Sequence, residues 1–475
     1  MSSSKQKLVI VALGGLSGVA GAWTYYRRRD GEGRKSQKQP SKVENLDLNL
    51  KQVQVIFRHG ARTPLHLIPA IEEATYDKKK WKKSFPPTIY DYEVLNIDGK
   101  QAPDSKYEEY YKKLGLLKGG CPHGMLTYLG QVQTYNLGRR LRKYYIGKLP
   151  GRLMSEFDPD LVYLRTTNMN RTKDSLRCVL AGVFGAEQLQ EHTEKTGQKI
   201  TFYTATQESE HLFPNPHTCP VLKRINRAAI VDGVDLPEFL EDRQEIEKVL
   251  GMSGKDWKSK IHFISARDDL AARAAHGLHI PKVLVPYVTK ITENAVQMFS
   301  YSFIGQHELQ NDIASNLSSG RMLELFRNAL RDFISDTRPV RLYLYSAHDS
   351  SLMALLLALK LDDKHWPPFA SDLLFELYQC NNTKQYYVIV RYNGEAVVLP
   401  KLAKKYVSIG QESAVPLKYF MKYLNEEKVM ESKEYRKVCE SNILDIIAEE
   451  IEKREGLAKE EETEAEEMSD NPAGM

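Results

Sequence analysis

Three short apolar segments each end in residues that carry charge, and this pattern restricts the fold more than any other. The segments are Val53 to Phe57, Leu161 to Leu164 and Leu342 to Tyr345. They lead into Arg58-His59, into Arg165 and into Ser346-Ala347-His348-Asp349, respectively. In open α/β sheets, ligands bind beyond the carboxyl ends of the strands. We therefore predict three neighbouring strands whose ends meet at one functional site.

Helical and extended patterns alternate along the rest of the chain. Apolar residues recur at helical spacing in Gly124 to Tyr145, Thr172 to Phe184, Gly320 to Ile334 and Leu352 to Leu359. Two further apolar runs, Leu373 to Tyr378 and Tyr386 to Tyr392, flank a polar turn and predict a hairpin. This alternation predicts an α/β fold with a central, mostly parallel sheet flanked by helices.

The length of 475 residues allows two domains, or one large domain with an insertion. Residues 200–310 are more polar, with helical stretches and interspersed prolines, so we predict an inserted, mainly helical cap domain there. The α/β core would then comprise residues 50–199 and 311–440. The glutamate-rich residues 441–475 are predicted to begin as a helix and to continue as a disordered tail.

Residues 1–49 combine an apolar segment with a basic linker. The segment from Leu8 to Trp23, extended to Tyr26, just reaches the roughly 20 residues that a bilayer requires. Lysines precede it and Arg27 to Arg29 follow it. We expect an uncleaved membrane anchor or targeting segment of a kind that suits a mitochondrial membrane. A removable signal peptide for the secretory pathway, with the ER, Golgi or lysosome as destination, is the alternative.

Composition excludes several classes of protein. The net charge is only +5, and no basic stripe with interleaved aromatic residues indicates nucleic-acid binding. The five cysteines are widely separated, which allows one or two disulfides, and no CxxC pair indicates zinc. His276 and His279 have the spacing of paired metal ligands, but no carboxylate lies suitably near, so we predict no metal site. The stretch Lys78 to Lys83 predicts a solvated basic surface. The alternative is that it contacts anionic lipid headgroups.

The strand ends and the turn after the first of them share a chemistry that points to an anion. The candidate residues are Arg58, His59, Arg62, Arg165, His348 and Asp349. Guanidinium groups bind phosphate oxygens bidentately, and a phosphate group has several oxygens to satisfy. Histidine can attack phosphorus or exchange protons near neutral pH. The set therefore favours a phosphate over a single carboxylate.

These residues also resemble a known family, the histidine acid phosphatases, over most of residues 50–425. The motifs that carry the resemblance are Arg58-His59-Gly60-Ala61-Arg62-Thr63-Pro64, the segment from Leu126 to Arg142, Arg165-Thr166-Thr167-Asn168 with Arg171, and Ala347-His348-Asp349. Within the family, the segment from Trp366 to Gln379 is similar to the lysophosphatidic acid phosphatases.

The resemblance implies a two-step transfer of a phosphoryl group. His59 would attack phosphorus and become a phosphohistidine, and Asp349 would protonate the leaving alkoxide. The phosphoryl oxygens would be held by Arg58, Arg62, Arg165 and His348. Asp349 could also cap the helix that follows it, and Arg171 is expected to be structural. Neither a metal nor a cofactor is needed, because the arginines supply the positive charge.

The preferred function is therefore a membrane-anchored phosphomonoesterase acting on a lysophospholipid, above all lysophosphatidic acid. One alternative is a phosphatase of soluble inositol or sugar phosphates. Another is a catalytically silent, anchored scaffold that binds phosphate, although such a protein has no use for both His59 and Asp349. The sequence leaves the oligomeric state, the acyl-chain preference and the membrane orientation open.

Overall fold

The computed structural model describes residues 46–254, 260–361, 364–409 and 412–455. Its strands are β1 Leu48–Arg58, β2 Tyr92–Asn96, β3 Val162–Thr166, β4 Ile200–Thr204, β5 Leu342–Ala347, β6 Asp372–Cys380, β7 Tyr386–Tyr392, β8 Glu395–Val397, β9 Val407–Ile409 and β10 Glu412–Pro416. Its helices are α1 Lys78–Trp81, α2 Lys106–Lys113, α3 Tyr128–Tyr145, α4 Asn170–Phe184, α5 Ala186–Thr196, α6 Pro220–Ile230, α7 Pro237–Leu250, α8 Phe263–Ala275, α9 Val288–Ile304, α10 Asn311–Ile334, α11 Asp349–Ala358, α12 Leu417–Tyr423, α13 Ser432–Cys439 and α14, residues 443–455.

All of these strands belong to one mixed sheet. Their order is β2-β4-β3-β5-β1-β6-β7-β10-β9, and β8 pairs with β7. The pairs from β2 to β1 are parallel, whereas those from β1 to β9 are antiparallel. The prediction of an α/β fold with a central sheet flanked by helices is confirmed, and the sheet is parallel in its core, from β2 to β1, but antiparallel beyond it. The predicted hairpin is formed by β6 and β7.

The register of the parallel strands determines where the site lies. Arg58 at the end of β1 pairs with Ala347 at the end of β5. On the other side of β5, Thr166 at the end of β3 pairs with Ser346. The three strands that we predicted to end together therefore do so at one edge of the sheet.

The two faces of the sheet are covered by different helices. Val55 and Phe57 of β1 pack with apolar residues of α3 and α4, whereas Ile56 packs with those of α10 and α11. Side chains of a strand alternate between faces, so consecutive apolar residues are required where both faces are covered. This burial on both sides explains why the run before the Arg-His pair is apolar at every position except Gln54.

Two buried glutamines attach β1 to α10. The Gln54 side-chain amide donates to the carbonyl oxygen of Phe326 at 3.1 Å, and that of Gln52 donates to Ala329 at 3.2 Å. Burying an amide is costly unless its hydrogen bonds are replaced, as they are here. The strand begins at Leu48, several residues before the apolar run from which we predicted it, because its first residues pair with β6.

The segment predicted as an inserted cap packs directly on the core. Residues 200–204 form β4, which lies inside the sheet between β2 and β3. Leu270 of α8 and Phe303 of α9 belong to the same apolar cluster as Tyr345 of β5 and Met353 of α11. The helices α8 and α9 therefore cover one face of the sheet and lie close to the ends of its strands.

A disulfide joins two segments that are far apart in sequence. Cys219, directly before α6, is bonded to Cys439 at the end of α13. The other three cysteines, at positions 121, 178 and 380, are buried and unbonded. The two cysteines are 220 residues apart, and a bond that closes a loop of this length stabilises the fold by about 5 kcal/mol in the chain-entropy treatment.

The two ends of the chain lie mostly outside the described residues. The predicted membrane anchor, together with the linker up to residue 45, and residues 456–475 of the acidic tail fall there. Within the described residues, no helix has the length and apolar character needed to cross a membrane. The helix α14 occupies the predicted helical start of the tail.

The crossing of α3 and α4 provides a test of the packing. A Cβ atom on Gly138 would lie 2.1 Å from the carbonyl oxygen of Val179. In an isolated helix, Gly→Ala is stabilising by about 1 kcal/mol. Here we expect Gly138→Ala to destabilise by roughly 1–3 kcal/mol, because the two helices must separate.

Denaturant unfolding of the variant measures this difference. Asn136→Ala, at an exposed position of the same helix, is the matched control and should be neutral or slightly stabilising. A Gly138→Ala protein as stable as the wild type would contradict the close crossing.

Candidate active site

The imidazole rings of two histidines meet at the edge where β1, β3 and β5 end. His59 follows β1, and its backbone N–H donates to the carbonyl oxygen of Ala347 at 3.1 Å. His348 follows β5, and the two ring centroids lie 5.6 Å apart in an edge-to-face arrangement. Both side chains are buried, at 1 % and 5 % exposure. The structure thus brings these two predicted site residues together.

The ring of His59 is oriented by the next peptide group. Its Nδ1 atom lies 2.8 Å from the carbonyl oxygen of Gly60. Because a carbonyl oxygen only accepts, Nδ1 carries the proton and donates it, which leaves Nε2 unprotonated in the neutral ring. Nε2 is therefore the nitrogen of His59 that is available as a nucleophile.

The turn after His59 depends on two glycines that face each other. A Cβ atom on Gly60 would lie 2.1 Å from the carbonyl oxygen of Gly130, and one on Gly130 would lie 2.1 Å from that of Ala61. Gly130 is in the first turn of α3, and its N–H donates to the hydroxyl oxygen of the N-cap residue Thr127. This close approach holds the main chain of His59 against the start of α3.

Arg58 is bound on both arms of its guanidinium group. Its Nη2 atom lies 2.7 Å from Oδ2 of Asp349, and Nη1 donates to the carbonyl oxygen of Pro367 at 2.6 Å. The Phe369 ring covers the group, with 4.1 Å from Cζ to the ring centroid. The indole N–H of Trp366 donates to the same Asp349 oxygen at 2.9 Å. Arg58 and Trp366 together fix the Asp349 carboxylate.

Arg62 is held by a carboxylate that our sequence reasoning missed. Its two Nη atoms lie 2.8 and 3.2 Å from the two oxygens of Asp268 on α8. The backbone N–H of Leu65 also donates to Asp268 at 2.7 Å. Asp268 comes from the segment predicted as a cap, and nothing in its local sequence marks it as the partner of an arginine so distant in the chain.

Arg165 lies elsewhere than we expected. It pairs in register with Tyr345, three residues before His348, which corresponds to about 10 Å along the strand. Its Nη2 atom lies 3.2 Å from the Glu210 carboxylate, and both side chains are buried. The structure therefore places Arg165 in a buried ion pair and does not bring it to the histidines.

Arg171, and not Arg165, is the third arginine beside the two histidines. It lies in the first turn of α4 and is 5 % exposed. Within the described chain, its Nε and Nη1 atoms are buried and have no hydrogen-bond partner. A buried cation with unused donors is suited to bind an anion. The signal that we overlooked was its position at the start of a helix, where anions commonly bind.

Burial and positive charge set the protonation of the two histidines. Burial lowers the pKa of His59 and of His348 well below the ordinary value, and the charge of Arg171 lowers both further. Both rings are consequently neutral at mildly acidic pH, so the unprotonated Nε2 of His59 persists there.

The pKa of the Asp349 carboxyl group is also lowered, in this case by the positive charges around it. Burial alone would raise its pKa, but positive charge, above all that of Arg58, lowers the pKa well below the usual range. Asp349 is therefore ionised when no anion competes for Arg58.

No metal cluster accompanies this site among the described residues. None of their histidine, cysteine, aspartate and glutamate side chains form a group of three or more placed to hold a metal ion. His276 uses both ring nitrogens in hydrogen bonds, to the Thr127 hydroxyl at 2.8 Å and to the carbonyl oxygen of Ala272 at 2.7 Å.

This geometry and the sequence place the protein in a known class. The profile of the histidine phosphatase superfamily (branch 2) matches residues 49–393, and the chain belongs to this superfamily. It is a histidine acid phosphatase, a hydrolase of phosphoric monoesters.

The chain is similar to several individual members of this class. The chain is 35% identical over 360 residues to lysophosphatidic acid phosphatase type 6 of Mus musculus, which covers 75% of this chain and 82% of the relative. It is 25% identical to lysosomal acid phosphatase of Rattus norvegicus over 70% of this chain and 68% of that protein. The apo form of Hafnia alvei phytase shares the fold, with a TM-score of 0.50 at 14% identity over 81% of this chain and 98% of the phytase.

The different surroundings of the buried arginines Arg171 and Arg165 allow a paired test of their roles. We expect Arg171→Gln to weaken inhibition by inorganic phosphate roughly 10- to 100-fold, because a hydrogen bond to a charged group contributes about 1.5–3 kcal/mol. Arg165→Gln should leave phosphate affinity within about threefold but destabilise the fold by roughly 3–5 kcal/mol, since Glu210 loses its partner.

Phosphate inhibition constants and denaturant unfolding of both variants distinguish the two roles. A loss of phosphate affinity in Arg165→Gln alone would reverse the assignment.

Proposed function

We propose that this phosphatase hydrolyses lysophosphatidic acid, or a closely similar lysophospholipid, to monoacylglycerol and phosphate. The observation that carries the proposal is the aromatic surround of the cationic site. The Phe369 ring lies 6.1 Å from that of His59, and the Phe213 ring lies 5.6 Å from that of His348. Such a site suits one phosphate group joined to an apolar body. The name of the mouse relative supports the same substrate.

The phosphate group would be bound by three guanidinium groups and one imidazole. We assign Arg58, Arg62, Arg171 and His348 to this role. The predicted role of Arg165 as a phosphate ligand is replaced by one in holding Glu210. In the transition state, charge spreads over the phosphoryl oxygens, where fixed cations contribute on the order of a few kcal/mol each. The N-termini of α4 and α11 lie at the same edge and add favourable dipoles.

The reaction would proceed in two displacements. Nε2 of His59 forms a bond to phosphorus while the bond to the ester oxygen breaks, and Asp349 gives that oxygen a proton. A water molecule then attacks the phosphorus of the phosphohistidine while the bond from phosphorus to Nε2 breaks. Asp349 takes up a proton from this water, and phosphate leaves. An alkoxide is a poor leaving group, so the proton contributes roughly a hundredfold or more to the rate.

The proton on Asp349 must arrive with the substrate, because Asp349 is ionised in the free protein. Phosphate oxygens that bind Arg58 compete with the carboxylate for the same guanidinium group. The pKa of Asp349 then rises towards its unperturbed value. A singly protonated phosphate ester, which predominates below about pH 6, can hand over the proton. This account agrees with an enzyme that works in acid.

Two other observations bear on the cellular compartment of the protein. The Cys219–Cys439 disulfide is typical of an oxidising environment. Together with the similarity to a lysosomal acid phosphatase, it favours the secretory pathway. The mitochondrial membrane and the N-terminal anchor stay predictions from the first residues of the chain.

A phosphatase of soluble esters is the second candidate. A comparison of kcat/KM for lipid and soluble phosphate esters distinguishes the two functions. We expect kcat/KM for a monomeric, short-chain lysophosphatidic acid to exceed that for glycerol 3-phosphate at least tenfold. Each methylene group that the aromatic surround buries contributes about 0.8 kcal/mol. Equal or higher values for glycerol 3-phosphate, sugar phosphates or inositol phosphates would refute the lipid substrate.

The acid role of Asp349 predicts a dependence on the leaving group. In Asp349→Asn we expect kcat for an alkyl phosphate to fall about 100-fold or more. An aryl phosphate should lose far less, because its phenolate leaves without a proton. Steady-state kinetics on both esters measure this, with the aryl ester as internal control for folding. Equal losses would contradict general-acid catalysis.

A further inference from the structure

An apolar surface lies exposed on α2 and in the turn that follows it. Tyr110 is 51 % exposed, Leu114 38 % and Leu116 68 %. Tyr110 and Leu114 are four residues apart and so share one side of the helix. We call these three side chains the α2 face. Their clustering within a few residues is unlike the scattered exposure of single apolar residues on most surfaces.

Lysines surround the α2 face. Lys112 and Lys113 are exposed at the end of α2. The basic stretch from Lys78 to Lys83 begins beside the segment that follows Leu116, since the Lys78 N–H donates to the carbonyl oxygen of Gly119 at 2.9 Å. Lys106 and Lys118, on either side of the face, are paired with Glu208 and Glu72. Among the described residues, no carboxylate forms an ion pair with Lys112, Lys113 or the lysines of the stretch from Lys78 to Lys83. Their charge is therefore free to attract an anionic partner.

The α2 face adjoins the active site. The Tyr111 ring covers the Arg171 guanidinium group at 5.4 Å. The Glu108 carboxylate accepts a hydrogen bond from the Asn170 N–H, at the start of α4, at 2.8 Å. α2 thus rests on the turn that supplies Arg171.

We propose that the α2 face docks on an anionic lipid bilayer, with its apolar side chains among the headgroups and its lysines against lipid phosphates. Exposed aromatic and apolar residues flanked by lysine are the features that bind such a surface. Docking would place the phosphate site beside the membrane. The benefit of this position rests on the proposed lysophospholipid substrate, but docking itself can be measured without that substrate.

Hydrogen exchange of the full chain tests the docking locally, because it reports protection of α2 separately from any binding of the N-terminal segment to the vesicles. We expect amides of residues 106–118 to gain protection when vesicles of phosphatidylcholine with phosphatidylserine are added, and to gain little with phosphatidylcholine alone. Residues 147–152, at the far end of α3 and about 27 Å along that helix from its start, should not change. Unchanged exchange at 106–118 with anionic vesicles would overturn the proposal.

Matched variants separate docking from catalysis. Leu114→Ser with Leu116→Ser should abolish the added protection and lower turnover of lysophosphatidic acid in anionic vesicles roughly five- to tenfold. Lys112→Glu with Lys113→Glu should do the same, since each lysine near an anionic surface changes partitioning about fivefold. Leu149→Ser is the control, because Leu149 is also 68 % exposed.

Hydrolysis of a water-soluble aryl phosphate should be unchanged in all three variants. Full vesicle turnover in the leucine double variant, or an equal loss in Leu149→Ser, would refute the α2 face. Protection that rises with protein concentration without vesicles would show a second copy as the occupant and also overturn the proposal. Intact docking without lysophosphatidic acid hydrolysis would instead refute the proposed substrate.

Discussion

The burial of three guanidinium groups around two neutral histidines is the constraint on which the site depends. Each buried cation needs an anion or several hydrogen bonds to offset its lost hydration. Asp349 provides this for Arg58, and Asp268 provides it for Arg62. Arg171 has no such carboxylate among the described residues. The protein thus holds a local excess of positive charge, which suits an anionic phosphate group and lowers the pKa of His59.

The fold sets this arrangement through strand register and close main-chain contacts. Because β1, β3 and β5 end together, residues far apart in sequence arrive at one edge. The contact of Gly60 with Gly130 fixes the turn after His59, and the hydrogen bond to the Gly60 carbonyl orients the ring. The ring of His59 is therefore oriented by the backbone, and its charge environment depends on distant side chains.

Much of this could be predicted from the sequence, and the failures have physical causes. Short, mostly apolar runs marked the strands because both faces of the sheet are buried, and the ends of these strands located His59 and His348. Arg165 lies inside β3, about 10 Å along the sheet from His348, and pairs with Glu210, so the structure does not bring it to the histidines as we predicted. Arg171, in the first turn of α4, lies close enough to lower the pKa of both histidines. Asp268 could not be found, since its pairing with Arg62 depends on how α8 packs against the sheet. The polar residues before Val53 hid the first half of β1.

Direct trapping of the intermediate tests the central claim, that His59 is the nucleophile. A substrate carrying labelled phosphate is mixed with the protein and quenched in alkali, where phosphohistidine survives. We expect label on the wild-type chain and on His279→Ala, which changes an exposed histidine away from the site, and none on His59→Ala. Equal labelling of His59→Ala, or no label on the wild type before steady state, would contradict the account.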